Sequence, residues 1–161
     1  MLLNLRCVVP VIILTGLAGP AVADTITDWN EKTVAFVTTR AMLPPQAERV
    51  VAMVHVAMFD AVNSIERRYR PYKLQLPAPK ETSKEAAAAA AASAILAGLN
   101  PNAAEELKTA LTTYLAAMPN NAAKTDGVKL GEAVAARILA ERAKDGSDAP
   151  DAYRPKAKPG V

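Results

Sequence analysis

The 161-residue chain contains a single histidine, His55. It sits in an uncharged run, Val50 to Phe59, closely bracketed by Glu48, Arg49 and Asp60. A metal site built on His55 needs further His, Cys or carboxylate ligands, and this stretch offers only Asp60. On a helix, five positions is about 500° of rotation, which turns Asp60 roughly 140° away from His55. A Ser-His-Asp arrangement needs a poised serine, and neither Ser64 nor Ser93 lies in a nucleophile elbow. His55 therefore reads as a structural histidine, hydrogen-bonded across a helical bundle, and Asp60 as a paired or capping carboxylate. A small enzyme using His55 directly is the least favoured reading.

Other reactive residue types fare no better. Gly127 and Gly131 fall inside a helical pattern and form no phosphate-binding loop. Arg67-Arg68-Tyr69-Arg70 offers cations for a phosphate or an acidic partner, but the simpler reading is a solvated face. Glu105 and Glu106 lie on an exposed helix face. The sequence thus assigns no catalytic, cofactor-binding or metal-binding residue. No motif is sufficient for catalysis.

The elements that would carry these residues are all helical. Asp28 or Thr27 caps a first helix from about Trp29 to Met42, with Trp29, Val34, Phe36 and Val37 as its apolar residues. Pro44 and Pro45 open the next helix, since proline is tolerated in a first turn. In it Val51, His55, Met58, Val62 and Ile65 recur at three- and four-residue steps, widened by Val50, Val54, Ala57 and Ala61. A helix so apolar is expected at the centre, with other helices around it. The charges from Glu66 to Arg70 end it. Pro71, Pro77 and Pro79 make residues 67–81 an extended strap, pinned by Tyr69 and Tyr72. Thr82-Ser83-Lys84-Glu85 has capping-box order and precedes seven alanines, Ala86 to Ala92, which favour a helix that neighbours approach closely. Asn100-Pro101 starts a helix lined by Leu107, Leu111, Tyr114, Leu115 and Met118. A last helix turns Val128, Gly131, Ala135, Ile138 and Leu139 inward and stops at Asp145-Gly146.

Composition agrees. The chain is 51% hydrophobic and 22% charged, as in a globular domain, yet only 4% aromatic, which disfavours sheet. The expected fold is all-α, a bundle of about five helices over residues 24–146 with an extended Pro-rich tail at 147–161. The net charge of +3 does not cluster, which argues against a nucleic-acid partner despite a pI of about 9.1. Residues 1–23 read as a signal peptide: one charge at Arg6, an apolar stretch from Cys7 to Val22, and an Ala21-Val22-Ala23 cleavage pattern. Export to the periplasm or the outside is expected, with no stable membrane span and no cysteine after cleavage.

Val54-His55-Val56-Ala57-Met58-Phe59-Asp60-Ala61-Val62-Asn63 resembles a signature in the N-terminal half of bacterial secreted proteins of the vanadium-dependent haloperoxidase and type-2 phosphatidic acid phosphatase superfamily. Asp28-Trp29-Asn30, Arg68-Tyr69-Arg70-Pro71-Tyr72, the Ala-rich helix, Arg142-Ala143-Lys144-Asp145-Gly146 and Tyr153 fit the same order. The resemblance covers about residues 26–161 and implies an all-α fold. In such proteins it implies halide oxidation by peroxide at bound vanadate, or phosphomonoester hydrolysis in the same pocket. The anion there is held by Lys, Arg, Ser-Gly and His elements of the C-terminal half, and none of those elements occurs here. His55 matches the signature histidine and not a catalytic one. No cofactor is expected in this chain, and vanadate or phosphate only in full-length relatives. The leading expectation is therefore a truncated N-terminal helical scaffold region, inactive alone, partnered by the missing catalytic half or by a second copy in a homo-oligomer. The alternative is a free-standing periplasmic helical binding module.

Overall fold

The computed structural model describes residues 24–150 and Arg154; the expected signal peptide, Tyr153 and most of the Pro-rich tail lie outside them. The described residues form an all-α bundle of five helices and no strand, as expected. They are α1 (Thr25–Thr39), α2 (Pro44–Glu66), α3 (Lys84–Leu99), α4 (Ala104–Ala116) and α5 (Ala122–Arg142), with a 3₁₀ turn at Pro101–Ala103 leading into α4. None of these helices is long and apolar enough to cross a membrane.

α1 begins one turn earlier than its sequence suggests. Asp24, not Thr27 or Asp28, is the N-cap, accepting the Thr27 amide at 2.9 Å. All three residue types can cap. Tertiary contact decides, because Thr25 is buried and its hydroxyl meets the Tyr114 hydroxyl at 2.6 Å, drawing the extra turn into the bundle. The inward stripe is Trp29, Thr33 and Phe36, with Val37 half-buried. Val34, counted as apolar packing from sequence, is 48% exposed, because it lies about 100° around the helix from Thr33.

The helix at the centre is α3 rather than α2. Every alanine from Ala86 to Ala92 is buried, as are Ser93, Ile95 and Leu96, and α3 packs against α1, α2, α4 and α5. An alanine tract shows no periodicity, so sequence gives no sign that all its faces are covered. Its small side chains let neighbouring axes approach closely. α2 keeps Ala52 and Phe59 exposed on one stripe and is a wall of the bundle.

The tightest approach is between α3 and α5. Gly127 and Gly131 of α5 face the alanines so closely that a Cβ on Gly127 would lie 2.6 Å from the Ser83 carbonyl oxygen. A Cβ on Gly131 would overlap the Ala87 carbonyl oxygen and lie 2.7 Å from the Ala91 amide nitrogen. These glycines serve close packing rather than a turn. Leu130, Val134, Ala135 and Ile138 complete the buried face of α5, while Val128 and Leu139 are half-buried.

Ser83 caps α3 by accepting the Ala86 amide at 3.1 Å, and its hydroxyl donates to Glu85 at 3.0 Å. The capping-box spacing pointed to Thr82, but its hydroxyl is buried without a hydrogen-bond partner. Ser83 wins because its own amide is bonded to the Ala123 carbonyl at 3.0 Å, which fixes it at the start of α3 against α5.

Candidate functional site

The polar residues of α2 converge on the strap. Asp60 is fully buried, and its carboxylate accepts three consecutive backbone amides: Tyr72 at 2.8 Å, Lys73 at 2.8 Å and Leu74 at 3.0 Å. One turn on, the Asn63 side chain brackets Tyr69, accepting its amide at 2.9 Å and donating to its carbonyl at 2.8 Å. Ser64 donates to the Asp60 carbonyl at 2.7 Å and accepts the Leu76 amide at 3.0 Å. These spacings, three and four residues along one helix, put all three side chains on the strap side. The strap lies across the helices as expected, but what pins it differs from the sequence reading. Tyr69 and Tyr72 are 56% and 65% exposed, and their backbone amides make the attachment. An extended segment without ladder partners must satisfy its N–H groups elsewhere, and α2 supplies the acceptors.

His55 is apart from this cluster. Its Nε2 lies 2.9 Å from the Asn30 side-chain oxygen of α1, an acceptor, so the ring donates across the α1–α2 contact. Asp60 faces the strap instead, as the helical rotation requires. Ser93, the other serine considered for catalysis, donates to the Leu107 carbonyl at 3.2 Å and ties α3 to α4. Glu106 forms an ion pair with Arg40 at 3.3 Å, a link from α4 to the end of α1 that its exposed helical position did not suggest.

A cavity of about 180 Å³ lies beside the strap, with Ala52, Met53, Val56 and Ile138 as its apolar part and Tyr72, Arg49 and Lys73 around them. Its volume is that of roughly six waters. Four of its five charged residues are matched in pairs, and Arg142 adds a further cation. Arg49 meets Asp145 at 2.9 Å and donates to the Arg142 carbonyl at 3.2 Å, and Lys73 pairs with Glu141. The hydrogen bond from Lys73 holds the Glu141 carboxyl below its ordinary value. Ser147 first, and then Arg49, does the same for Asp145. A ligand that engages Arg49 or Lys73 has to break a pair to be bound. Among the described residues, no three His, Cys, Asp or Glu side chains are grouped to hold a metal ion.

Of the arginine-rich positions, Arg68 lines a surface pocket with Glu66, Lys80 and Lys84. Arg67 ends α2 in the left-handed region, with φ 53°, and Arg68 lies 5.3 Å from the centre of the Tyr69 ring. Both are exposed, as is Arg70. Comparison with known families, with characterised proteins and with solved structures finds no match.

What sequence reasoning missed here is the joint role of Asp60, Asn63 and Ser64. Each is a buried polar residue on an apolar helix, and the Asp-x-x-Asn-Ser spacing ahead of a proline-rich extended segment is the signal that reveals them.

Proposed function

We propose that this chain is a helical scaffold region of a secreted haloperoxidase- or acid-phosphatase-like protein, bracing an anion site supplied by other residues. One observation carries this reading. The separate segments in which the family resemblance lies are bonded to one another. Asn30 meets His55, Asn63 holds Tyr69, Asp60 holds Tyr72, and Arg49, ahead of the signature on the same helix, holds Arg142 and Asp145. Residues recurring in that order would be kept together by such contacts, whose product is a rigid frame. Their polar atoms are directed at each other and leave no convergent set of free donors for an oxyanion.

On this reading the purified chain neither brominates an indicator dye with peroxide and vanadate nor hydrolyses a chromogenic phosphomonoester. A separately expressed catalytic half bearing the Lys, Arg, Ser-Gly and His elements should co-purify with it and be more stable in its presence. Turnover by the pure chain, lost when His55 is replaced by alanine, would overturn the scaffold reading in favour of a small enzyme.

A further inference from the structure

The outer face of α2 and the strap together form a surface that the bundle leaves uncovered. At 100° per residue, Glu48, Ala52, Phe59 and Glu66 fall on one stripe, with His55 and Val56 beside it. Glu48, Ala52, Phe59 and Glu66 are exposed, and His55 and Val56 are half-buried. Tyr69 lies beside Phe59, the two ring centres 6.3 Å apart, and Tyr72 follows on the strap. The chain has seven aromatic residues, and three of them are exposed on this one surface. Aromatic residues and arginine are the types enriched in protein interfaces. The buried Asp60 and Asn63 fix the backbone from which both tyrosines project, so little order remains to be gained on association.

The charges on this surface are arranged end to end. Glu66 is hydrogen-bonded to Lys84 at 2.6 Å and feels the Arg68 charge only more weakly, so that Arg67, Arg68 and Arg70 make this end basic, with no ion pair of their own among the described residues. Glu48, likewise unpaired, stands at the other end, about 28 Å away along the helix. A two-fold axis near residues 57–58 would place Glu48 of one copy against Arg67 and Arg68 of the other. The same axis sets Phe59 opposite Val56. Position 63, where Asn63 holds the Tyr69 backbone, then falls opposite the small Ala52, with room for the ring. We infer that this face binds a second copy of the chain, the two α2 helices antiparallel.

This inference does not depend on the scaffold reading. One helix and a strap give a surface at the small end of specific interfaces, so the dimer is reversible. Sedimentation velocity of the purified chain, from about 1 µM to about 1 mM, should show a monomer–dimer equilibrium in that range. Phe59→Glu should be monomeric throughout while keeping its helical circular dichroism. Glu48→Arg should weaken the dimer at least about tenfold, and adding Arg68→Glu to it should restore association. A chain that stays monomeric, or a dimer indifferent to Phe59→Glu and to both charge reversals, overturns the inference. So does a monomer that instead binds phosphatidylglycerol vesicles through Arg68 and Tyr72, which would assign the face to a lipid surface.

Discussion

Replacing Gly131 by alanine adds one methyl group where α5 crosses the alanine tract. A methyl in the middle of a helix ordinarily stabilises it, by about 1 kcal/mol on helix propensity. Here the new Cβ would overlap the Ala87 carbonyl oxygen and lie 2.7 Å from the Ala91 amide nitrogen and 2.9 Å from the Ala90 Cβ. Two of these three neighbours are backbone atoms, which cannot swing aside, so α5 has to move off α3 by a large fraction of an ångström. A gap of about 0.5–1 Å forfeits a quarter to a half of the dispersion energy of each contact it opens. Overpacking of this kind costs about 3 kcal/mol at the upper end of its usual range. After the propensity gain, a net loss of about 2 kcal/mol remains, which lowers the melting midpoint by about 6–10 °C in a domain of this size. Gly98→Ala is the control, because its Cβ would meet only the tip of the half-buried Leu139 side chain, which can turn away. Thermal unfolding followed by circular dichroism should therefore show Gly98→Ala unchanged or slightly higher and Gly131→Ala clearly lower. Equal midpoints for wild type and Gly131→Ala would refute the close-approach argument.

Asp60→Ala removes the acceptor of three amides and should cost about 3 kcal/mol, with Asp60→Asn intermediate because one acceptor oxygen remains. Trypsin should then cut the released strap at Arg67, Arg68 and Lys73 well before it unfolds the wild type. Acid stability depends on Glu66, held below its ordinary 4.5 by the hydrogen bond from Lys84, and on Glu141, held down by Lys73. A depressed carboxylate stabilises the fold at pH above its unfolded value, and that contribution is lost as pH falls through the folded value. The melting midpoint should thus be level from about pH 5 to 8 and fall below about pH 4.5. In Lys73→Met/Lys84→Met the descent should be shallower, and an unchanged acid profile would count against these two pairs.

Much of this architecture was legible because prolines and caps punctuate it. Pro44, the charges after Glu66 and the Asn100-Pro101 step each mark a boundary that the structure keeps, whereas α5 ends at Arg142, short of the stop expected at Asp145-Gly146. The errors came where several residues could do one job, as at Asp24 against Thr27 and Asp28, or Ser83 against Thr82. Local chemistry allows each of these, and contacts with Tyr114 and Ala123 make the choice. The centrality of α3 was hidden because identical residues carry no periodic signal. For the site, the rotation between His55 and Asp60 was computable from sequence. The partners of Asp60, 12 to 14 residues away on an irregular segment, were not.

The alanine tract has a further consequence. Seven identical residues can gain or lose one member with no change in local character or helix propensity. Yet each single insertion advances everything beyond it by about 1.5 Å and turns it by about 100°. Ser83 is tied to Ala123 at one end of α3, and Ser93 to Leu107 near the other. One extra alanine would swing Ser93, Ile95 and Leu96 off their partners while Gly131 met an unchanged surface. The tract acts as a spacer of fixed length, and slippage within so repetitive a stretch would be felt at its far end.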